Sequence, residues 1–126
     1  MTNDKEVVLN PRTLEADLDQ FTGTTQYFQH SLGMLYTDGI EYLAQRAGGN
    51  WLIDAVATSQ PQLRRFANEF QVWELVVRDD RSAVLTVRRG SRKPAIARRK
   101  FVCTDFPLKS IKIYVRNGVM FLPSEY

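Results

Sequence analysis

The hydrophobic periodicity of this chain changes once, near residue 70, and that change constrains its fold more than any other feature. Before Phe70, apolar side chains recur at intervals of three and four residues, as on one face of a helix. After Phe70, they alternate or fill both parities in short segments rich in β-formers. Helices followed by closely connected strands indicate an α+β protein, with N-terminal helices packed on one face of an antiparallel meander sheet of about four or five strands.

The helical half is expected to span residues 10–69, after a flexible segment 1–9. Asn10-Pro11 is typical of a helix start, since Asn caps the backbone and Pro needs no N–H there. Asp38 is the predicted cap of a second helix, with Glu41 completing a capping box. Asn50 is the predicted cap of a third helix and Pro61 begins a short fourth one. The intervening residues 24–36 mix aromatic side chains with glycine and are predicted to be irregular.

The second half, residues 70–126, is predicted to form the sheet. Asn117-Gly118 is a strong signal for a two-residue hairpin turn. At 126 residues, the whole chain is expected to be a single domain. The five predicted strands are Phe70–Val77, Ser82–Arg88, Ala95–Cys103, Ile111–Arg116 and Val119–Leu122.

The net charge of the chain also differs between its first and second halves. Residues 1–60 hold three basic and eight acidic side chains, a net of −5, whereas residues 61–126 hold fourteen basic and six acidic, a net of +8. Clustered cations focus positive potential over one surface, so this asymmetry favours an anionic partner.

Strand alternation predicts where the excess charge lies. If the helices cover the face that carries Leu85, Phe101 and Ile113, the opposite face carries most of the strand cations and one tyrosine. Arg99 has the wrong parity for that face. The loop after the second strand adds three more cations. The predicted binding residues are Arg88, Arg89, Arg92, Lys93, Arg98, Lys100, Lys112, Tyr114 and Arg116.

Two interpretations of this surface stay open. Cations near phosphates release counterions and give salt-dependent affinity, and an exposed tyrosine can stack on an unpaired base. The partner is then a nucleic acid or an acidic protein surface. Alternatively, lysine and arginine only solvate the sheet and prevent aggregation. No recognised nucleic-acid-binding motif is present in the sequence.

Catalytic and metal chemistry have weaker support. His30 is the only histidine, and with Asp38 it would suit a small hydrolase or nuclease. One histidine and one cysteine do not make a common zinc site, so no metal or cofactor is expected. Cys103 falls on the predicted apolar face, which favours a buried, inert thiol.

The apolar runs are far shorter than the ~20 residues that span a bilayer, so no membrane association is expected. The polar N-terminal segment is unlike a signal peptide, and a cytoplasmic location is expected. A homodimer joined through an open sheet edge is a third hypothesis.

Several segments together carry a resemblance. They are Phe21-Thr-Gly-Thr, Tyr36-Thr-Asp-Gly-Ile-Glu-Tyr-Leu-Ala, Trp51-Leu-Ile-Asp-Ala-Val-Ala, Phe70-Gln-Val-Trp, Thr104-Asp-Phe-Pro-Leu and the terminal Asn117-Gly-Val-Met-Phe-Leu-Pro-Ser-Glu-Tyr. Over roughly residues 14–126 the chain resembles a family of small bacterial proteins defined as a domain of unknown function and associated with phages, plasmids and cyanobacterial genomes. The resemblance implies a mobile-element accessory protein, such as an inhibitor of a CRISPR-type host-defence nuclease complex, and implies no catalytic residues.

Overall fold

A computed structural model describes residues 11–21, 26–66 and 69–126. These residues form a mixed α+β structure with three α-helices and a sheet of seven strands. The α+β class is therefore confirmed, and the expected count of four or five strands is wrong. The predicted flexible segment 1–9 and the predicted cap Asn10 lie outside the described residues.

Three helices and one tighter segment make up the helical part. α1 spans Pro11–Asp19, α2 spans Asp38–Ala47 and α3 spans Asn50–Ser59. A 3₁₀ segment, Gln60–Phe66, lies where the fourth helix was predicted. None of the helices in the described ranges combines the length and apolar character that crossing a bilayer requires.

The helix caps differ by one residue from the prediction. The cap of α2 is Thr37, whose hydroxyl oxygen accepts a hydrogen bond from the backbone N–H of Ile40 at 3.3 Å. Asp38 is instead the first residue of that helix. Likewise Gly49 occupies the cap position of α3, and Asn50 begins the helix.

Two strands lie between α1 and α2 in the chain, and five follow α3. The first two are short and come from the segment that was predicted to be irregular. A 3₁₀ turn, Pro123–Glu125, follows the last strand. In chain order the strands are β1 Tyr27–Gln29, β2 Leu35–Thr37, β3 Gln71–Val77, β4 Ala83–Arg88, β5 Ala95–Phe101, β6 Ser110–Arg116 and β7 Val119–Phe121.

The sheet order is β1-β2-β7-β6-β3-β4-β5. The neighbours are antiparallel except for β2 and β7, which are parallel. The predicted meander is wrong because β6 pairs with β3 rather than with β5. The predicted hairpin turn is confirmed, since Asn117 and Gly118 have φ values of 51° and 79° and connect β6 to β7.

The connection from β5 to β6 explains why the meander does not form. The Arg81 guanidinium donates to the carbonyl oxygens of Thr104 and Phe106, at 3.0 and 2.6 Å. Phe106 and Leu108 are buried in the core. These contacts hold the connection across the end of the β3–β4 hairpin, so that the chain enters β6 on the far side of β3.

One hydrophobic core joins helices and sheet. It contains Leu43 of α2 and Leu52 of α3 together with Leu75, Leu85 and Ile113, which are adjacent or nearby in the strand register. Since strand side chains alternate between faces, the even-numbered residues of β3, β4 and β6 lie on the opposite face of the sheet.

The C-terminal turn is attached to the start of α2 by one carboxylate. Glu125 accepts hydrogen bonds from the Thr37 hydroxyl at 2.7 Å, from Leu122 N at 2.8 Å and from Gly39 N at 3.2 Å. Two of these donors lie at a helix N-terminus, where unpaired N–H groups favour negative charge. Burial raises the pKa of Glu125, and the neighbouring Asp38 side chain raises it further, against the opposing effect of these donors.

Glycine at position 39 is explained by this contact. A Cβ atom at Gly39 would lie 2.6, 2.7 and 2.8 Å from the carboxyl atoms of Glu125. We predict that Gly39→Ala destabilises the protein by about 1–3 kcal/mol, as overpacking of a buried site does. In a Glu125→Ala background, the same substitution should be neutral or stabilising, because alanine favours a helix over glycine by about 1 kcal/mol. Urea unfolding of the four proteins in this cycle measures the coupling, and additive effects would contradict the assignment.

The raised pKa of Glu125 predicts a pH effect on stability. The folded protein holds the proton more readily than the unfolded chain, so the stabilisation is complete below the unfolded pKa of about 4.3 and is lost as the pH rises through the folded value. Glu125→Gln should remove this component, so that wild type loses more stability than the variant between pH 4 and pH 7. Urea midpoints across that range measure it. Parallel profiles would show that Glu125 does not titrate differently on folding.

Candidate binding surface

Six of the nine predicted binding residues share one face of the sheet by register. Arg98 pairs with Thr86, Thr86 with Glu74, and Glu74 with Lys112, which forms one row across four strands. The neighbouring row joins Arg88, Val72 and Tyr114. We call this surface the basic face and define it by Arg88, Arg98, Lys100, Lys112, Tyr114 and Arg116.

Four exposed cations of the basic face form two flanks, and Glu74 and Arg88 lie on the strands between them. Lys100 and Arg98 lie on β5, whereas Lys112 and Arg116 lie on β6, and all four are exposed. With a strand spacing of ~4.8 Å, Arg98 and Lys112 are separated by about 14 Å across the sheet. Small side chains such as Val76, which is 43% exposed, lie between the two flanks.

Little acidic charge opposes these cations. In strands β3–β7, Glu74 is the one acidic side chain on this face. The ion pairs within the described residues join His30 to Asp54 and Arg89 to Glu69, and they include no cation of the basic face. The face therefore keeps a net positive charge.

The loop between β4 and β5 contributes less charge than predicted. Arg89 donates to the Glu69 carboxylate at 2.7 Å, so its charge is partly neutralised within the protein. Arg88 donates to the carbonyl oxygen of Lys93 at 3.2 Å and thereby holds the loop against β4. Arg92 and the side chain of Lys93 are exposed.

Arg99 lies on the other side of the sheet, as its parity indicated. It pairs with Leu85, whose side chain is in the core, and its guanidinium lies 5.5 Å from the centre of the Phe101 ring. The register of the β4–β5 pairing shifts at a different place. Val87 pairs with Ala97 and Arg88 with Ala95, so the shift lies before Arg99 in β5. Arg99 is therefore not part of the basic face.

An aromatic cluster adjoins Tyr114, and only this tyrosine was predicted from the sequence. Phe70 lies 4.8 Å from Tyr114 and 5.5 Å from Tyr126 between ring centres, and the rings of Phe121 and Tyr126 stack at 6.0 Å with an angle of 7°. Tyr126 is 74% exposed. The cluster forms because the β6–β7 hairpin and the terminal turn bring Phe121 and Tyr126 to Tyr114. A cavity of about 400 Å³ opens beside it, with Arg116 and Glu125 in its lining.

His30 has a different partner from the one expected. Its Nε2 atom lies 2.7 Å from an Asp54 carboxylate oxygen, and its Nδ1 atom accepts a hydrogen bond from Leu32 N at 3.0 Å. Asp38 instead lies beside Glu125. The expected pairing of His30 with Asp38 is therefore wrong. The Nε2 contact holds the β1–β2 connection against α3, and the Nδ1 contact closes a turn within that connection.

Cys103 is exposed, which corrects the prediction of a buried thiol. The strand β5 ends at Phe101, so alternation no longer directs the Cys103 side chain inward. Within the described ranges, no group of three or more His, Cys, Asp or Glu side chains is arranged to hold a metal ion.

The fold and this surface define a small α+β protein with an open, basic sheet face and an adjoining aromatic cluster. The chain belongs to the family of unknown function DUF6876, whose model matches residues 12–126. No curated protein and no solved structure matches the chain.

The exposure of Cys103 predicts its reactivity. In the native protein, one equivalent of thiol should react with Ellman's reagent at a rate within about tenfold of that in denaturant, since the Cys103 side chain is exposed. Absorbance at 412 nm measures the reaction, and Cys103→Ser should abolish it. A thiol that reacts only after unfolding would contradict the exposed position.

Proposed function

We propose that this protein is a non-enzymatic binding protein whose basic face holds a single-stranded nucleic acid. The observation that carries the proposal is the juxtaposition of exposed cations with stacked aromatic rings on one side of the sheet. Proteins that bind single strands combine a positive surface for the backbone with aromatic side chains on which bases stack. A duplex offers no such unstacked bases, so the aromatic cluster favours a single strand.

The arrangement assigns separate roles to the two parts of the surface. Arg98, Lys100, Lys112 and Arg116 attract phosphates, and each neutralised phosphate releases counterions. Tyr126 has the greatest exposure in the aromatic cluster and is the proposed stacking residue. Glu74, between the two cationic flanks, opposes the binding of an anion.

The role implied by the family resemblance is part of this proposal. An accessory protein of a mobile element would inhibit a host-defence nuclease complex by occupying the nucleic acid, or an acidic protein surface, that the complex requires. Occupation of a surface needs no catalytic residues, which agrees with the bonded state of both His30 nitrogens.

The charge component is tested with fluorescein-labelled dT15 and rU15 by anisotropy. We expect Kd values of about 1–100 µM at 50 mM salt, and a log–log salt slope of about −3 if four phosphates are neutralised. The double variant Lys112→Gln/Arg116→Gln should weaken binding and reduce the slope by about 1.4. Arg46→Gln, which removes one positive charge from α2, should leave both quantities unaltered.

Two further variants distinguish a specific surface from general attraction. Tyr126→Leu should weaken binding of the single strands about 5- to 150-fold, the range for loss of one stacked base, without changing the salt slope. Glu74→Gln should strengthen binding about 2- to 5-fold by removing a repulsive charge.

The proposal fails if neither oligonucleotide binds at 50 mM salt, or if Tyr126→Leu and the Lys112/Arg116 variant bind as wild type. An affinity pull-down with and without nuclease treatment then identifies the alternative. A partner retained after nuclease treatment would indicate an acidic protein surface.

A further inference from the structure

The outer edge of β5 presents main-chain groups that the proposed nucleic-acid binding does not use. β5 is the last strand in the sheet order and pairs with β4 alone, and no other strand of the described residues lies beside it. Residues Ala97, Arg98, Arg99 and Lys100 are all exposed. An edge of this kind presents unpaired main-chain groups to an added strand.

Hydrogen bonds in the turns show which main-chain groups point outward. Arg78 N donates to Ser82 O at 2.8 Å, so the even-numbered residues of β3 and β4 bond one another. On the other side of β3, Val77 N donates to Lys109 O at 2.8 Å, so the odd-numbered residues of β3 bond β6. The even-numbered and odd-numbered residues of a strand therefore bond opposite neighbours. The odd-numbered residues of β4 therefore bond β5.

The register carries this alternation across to the edge. Val87 is opposite Ala97, Leu85 is opposite Arg99 and Ala83 is opposite Phe101. Since these three pairs use the main-chain groups of Ala97, Arg99 and Phe101, those of Arg98 and Lys100 point away from the sheet. The free edge thus offers two N–H donors and two carbonyl acceptors.

The two sides of this edge differ in character. On the basic face, the side chains of Arg98 and Lys100 flank the position of an added strand. On the other side lies a groove of about 380 Å³, with the buried side chains of Leu63, Trp73 and Leu85 in its lining. The rest of the lining includes Arg99 and the polar residues Thr58, Ser59 and Gln62. An added strand would therefore meet Arg98 and Lys100 on one face and, on the other, a groove that combines apolar side chains with Arg99. This arrangement suits acidic side chains on the first face and apolar side chains toward the groove, in a segment that is acidic overall.

The same charges disfavour a second copy of this chain as the occupant. Pairing two β5 edges would bring Arg98 and Lys100 of one copy against those of the other, and like charges opposite each other destabilise a strand pair. An acidic partner is therefore favoured over a homodimer joined through this edge.

We propose that the β5 edge binds an extended acidic segment of a partner protein as an additional strand, with acidic side chains beside Arg98 and Lys100 and apolar side chains toward the groove. Binding of this type takes its affinity from main-chain hydrogen bonds and its specificity from alternate side chains. The proposal does not depend on the aromatic cluster or on nucleic-acid binding.

The test uses the full chain and a synthetic peptide, acetyl-Glu-Val-Glu-Val-Glu-Val-Glu, with a fluorophore at its amidated C-terminus. Lys100→Gln removes the charge but keeps the outward N–H, whereas Lys100→Pro removes both. Proline is tolerated at edge positions whose N–H faces solvent, so the bonds from Ala97, Arg99 and Phe101 to β4 remain. We expect Lys100→Pro to bind the peptide about 10-fold more weakly than Lys100→Gln, in line with the loss of a main-chain hydrogen bond. Circular dichroism and urea midpoints verify that both variants are folded.

Modified peptides test the main-chain contact without altering the protein. In an antiparallel pair, the residues opposite Arg98 and Lys100 exchange hydrogen bonds with them and carry side chains on the same face. N-methylation of the glutamates should therefore abolish binding, whereas N-methylation of the valines should preserve it. If N-methylation of the valines abolishes binding and that of the glutamates preserves it, the peptide is added as a parallel strand, because the residues that flank each opposite residue then supply the hydrogen bonds. A Lys/Val peptide of the same length should not bind.

Any of the following results would overturn the proposal. One is equal binding by Lys100→Pro and Lys100→Gln. Another is tolerance of N-methylation at both sets of residues, or failure of the unmodified peptide to bind at 1 mM. The last is light scattering that reports a dimer in wild type and a monomer in Lys100→Pro, which would make a second copy the occupant.

Discussion

The carboxylate of Glu125 connects the C-terminal turn to the start of α2. It accepts hydrogen bonds from Thr37 and Gly39, which lie 88 and 86 residues away in the chain, at the start of α2. It also accepts from Leu122 N and so closes its own turn. Because β7 leads directly into this turn and pairs with β2, one side chain positions the parallel part of the sheet relative to a helix.

The aromatic part of the candidate binding surface depends on that contact. Glu125 precedes Tyr126, whose ring completes the aromatic cluster with Phe70 and Phe121. The cations of β5 and β6 lie on the same side of the sheet, and acidic side chains of the helical half do not form ion pairs with them in the described ranges. The charge difference between the two halves of the chain is thus retained as a difference between surfaces, where it can act on a partner.

Alternation predicted part of this surface from the sequence, and its failures have physical causes. Arg98, Lys112 and Arg116 were placed correctly because parity within one strand is a local property. Cys103 was misplaced because β5 ends two residues before it, and the end of a strand depends on where its neighbour stops. β1 and β2 were missed because each has three residues, too few for a period to be recognised.

The amino-acid sequence alone predicted the α+β class, the hairpin at Asn117-Gly118 and the face on which the strand cations lie. Each of these follows from patterns among residues that are near one another in the sequence. Pairing of β6 with β3, the meeting of His30 with Asp54 and the docking of Glu125 were decided by the tertiary structure. The His30–Asp54 and Glu125–Thr37 contacts join residues that are 24 and 88 positions apart in the chain. The pairing of β6 with β3 depends on the path of the β5–β6 connection. Closure of the core over Phe106 and Leu108 holds the β5–β6 connection across the hairpin, and β6 then lies beside β3. The same closure leaves one edge of β5 without a strand among the described residues.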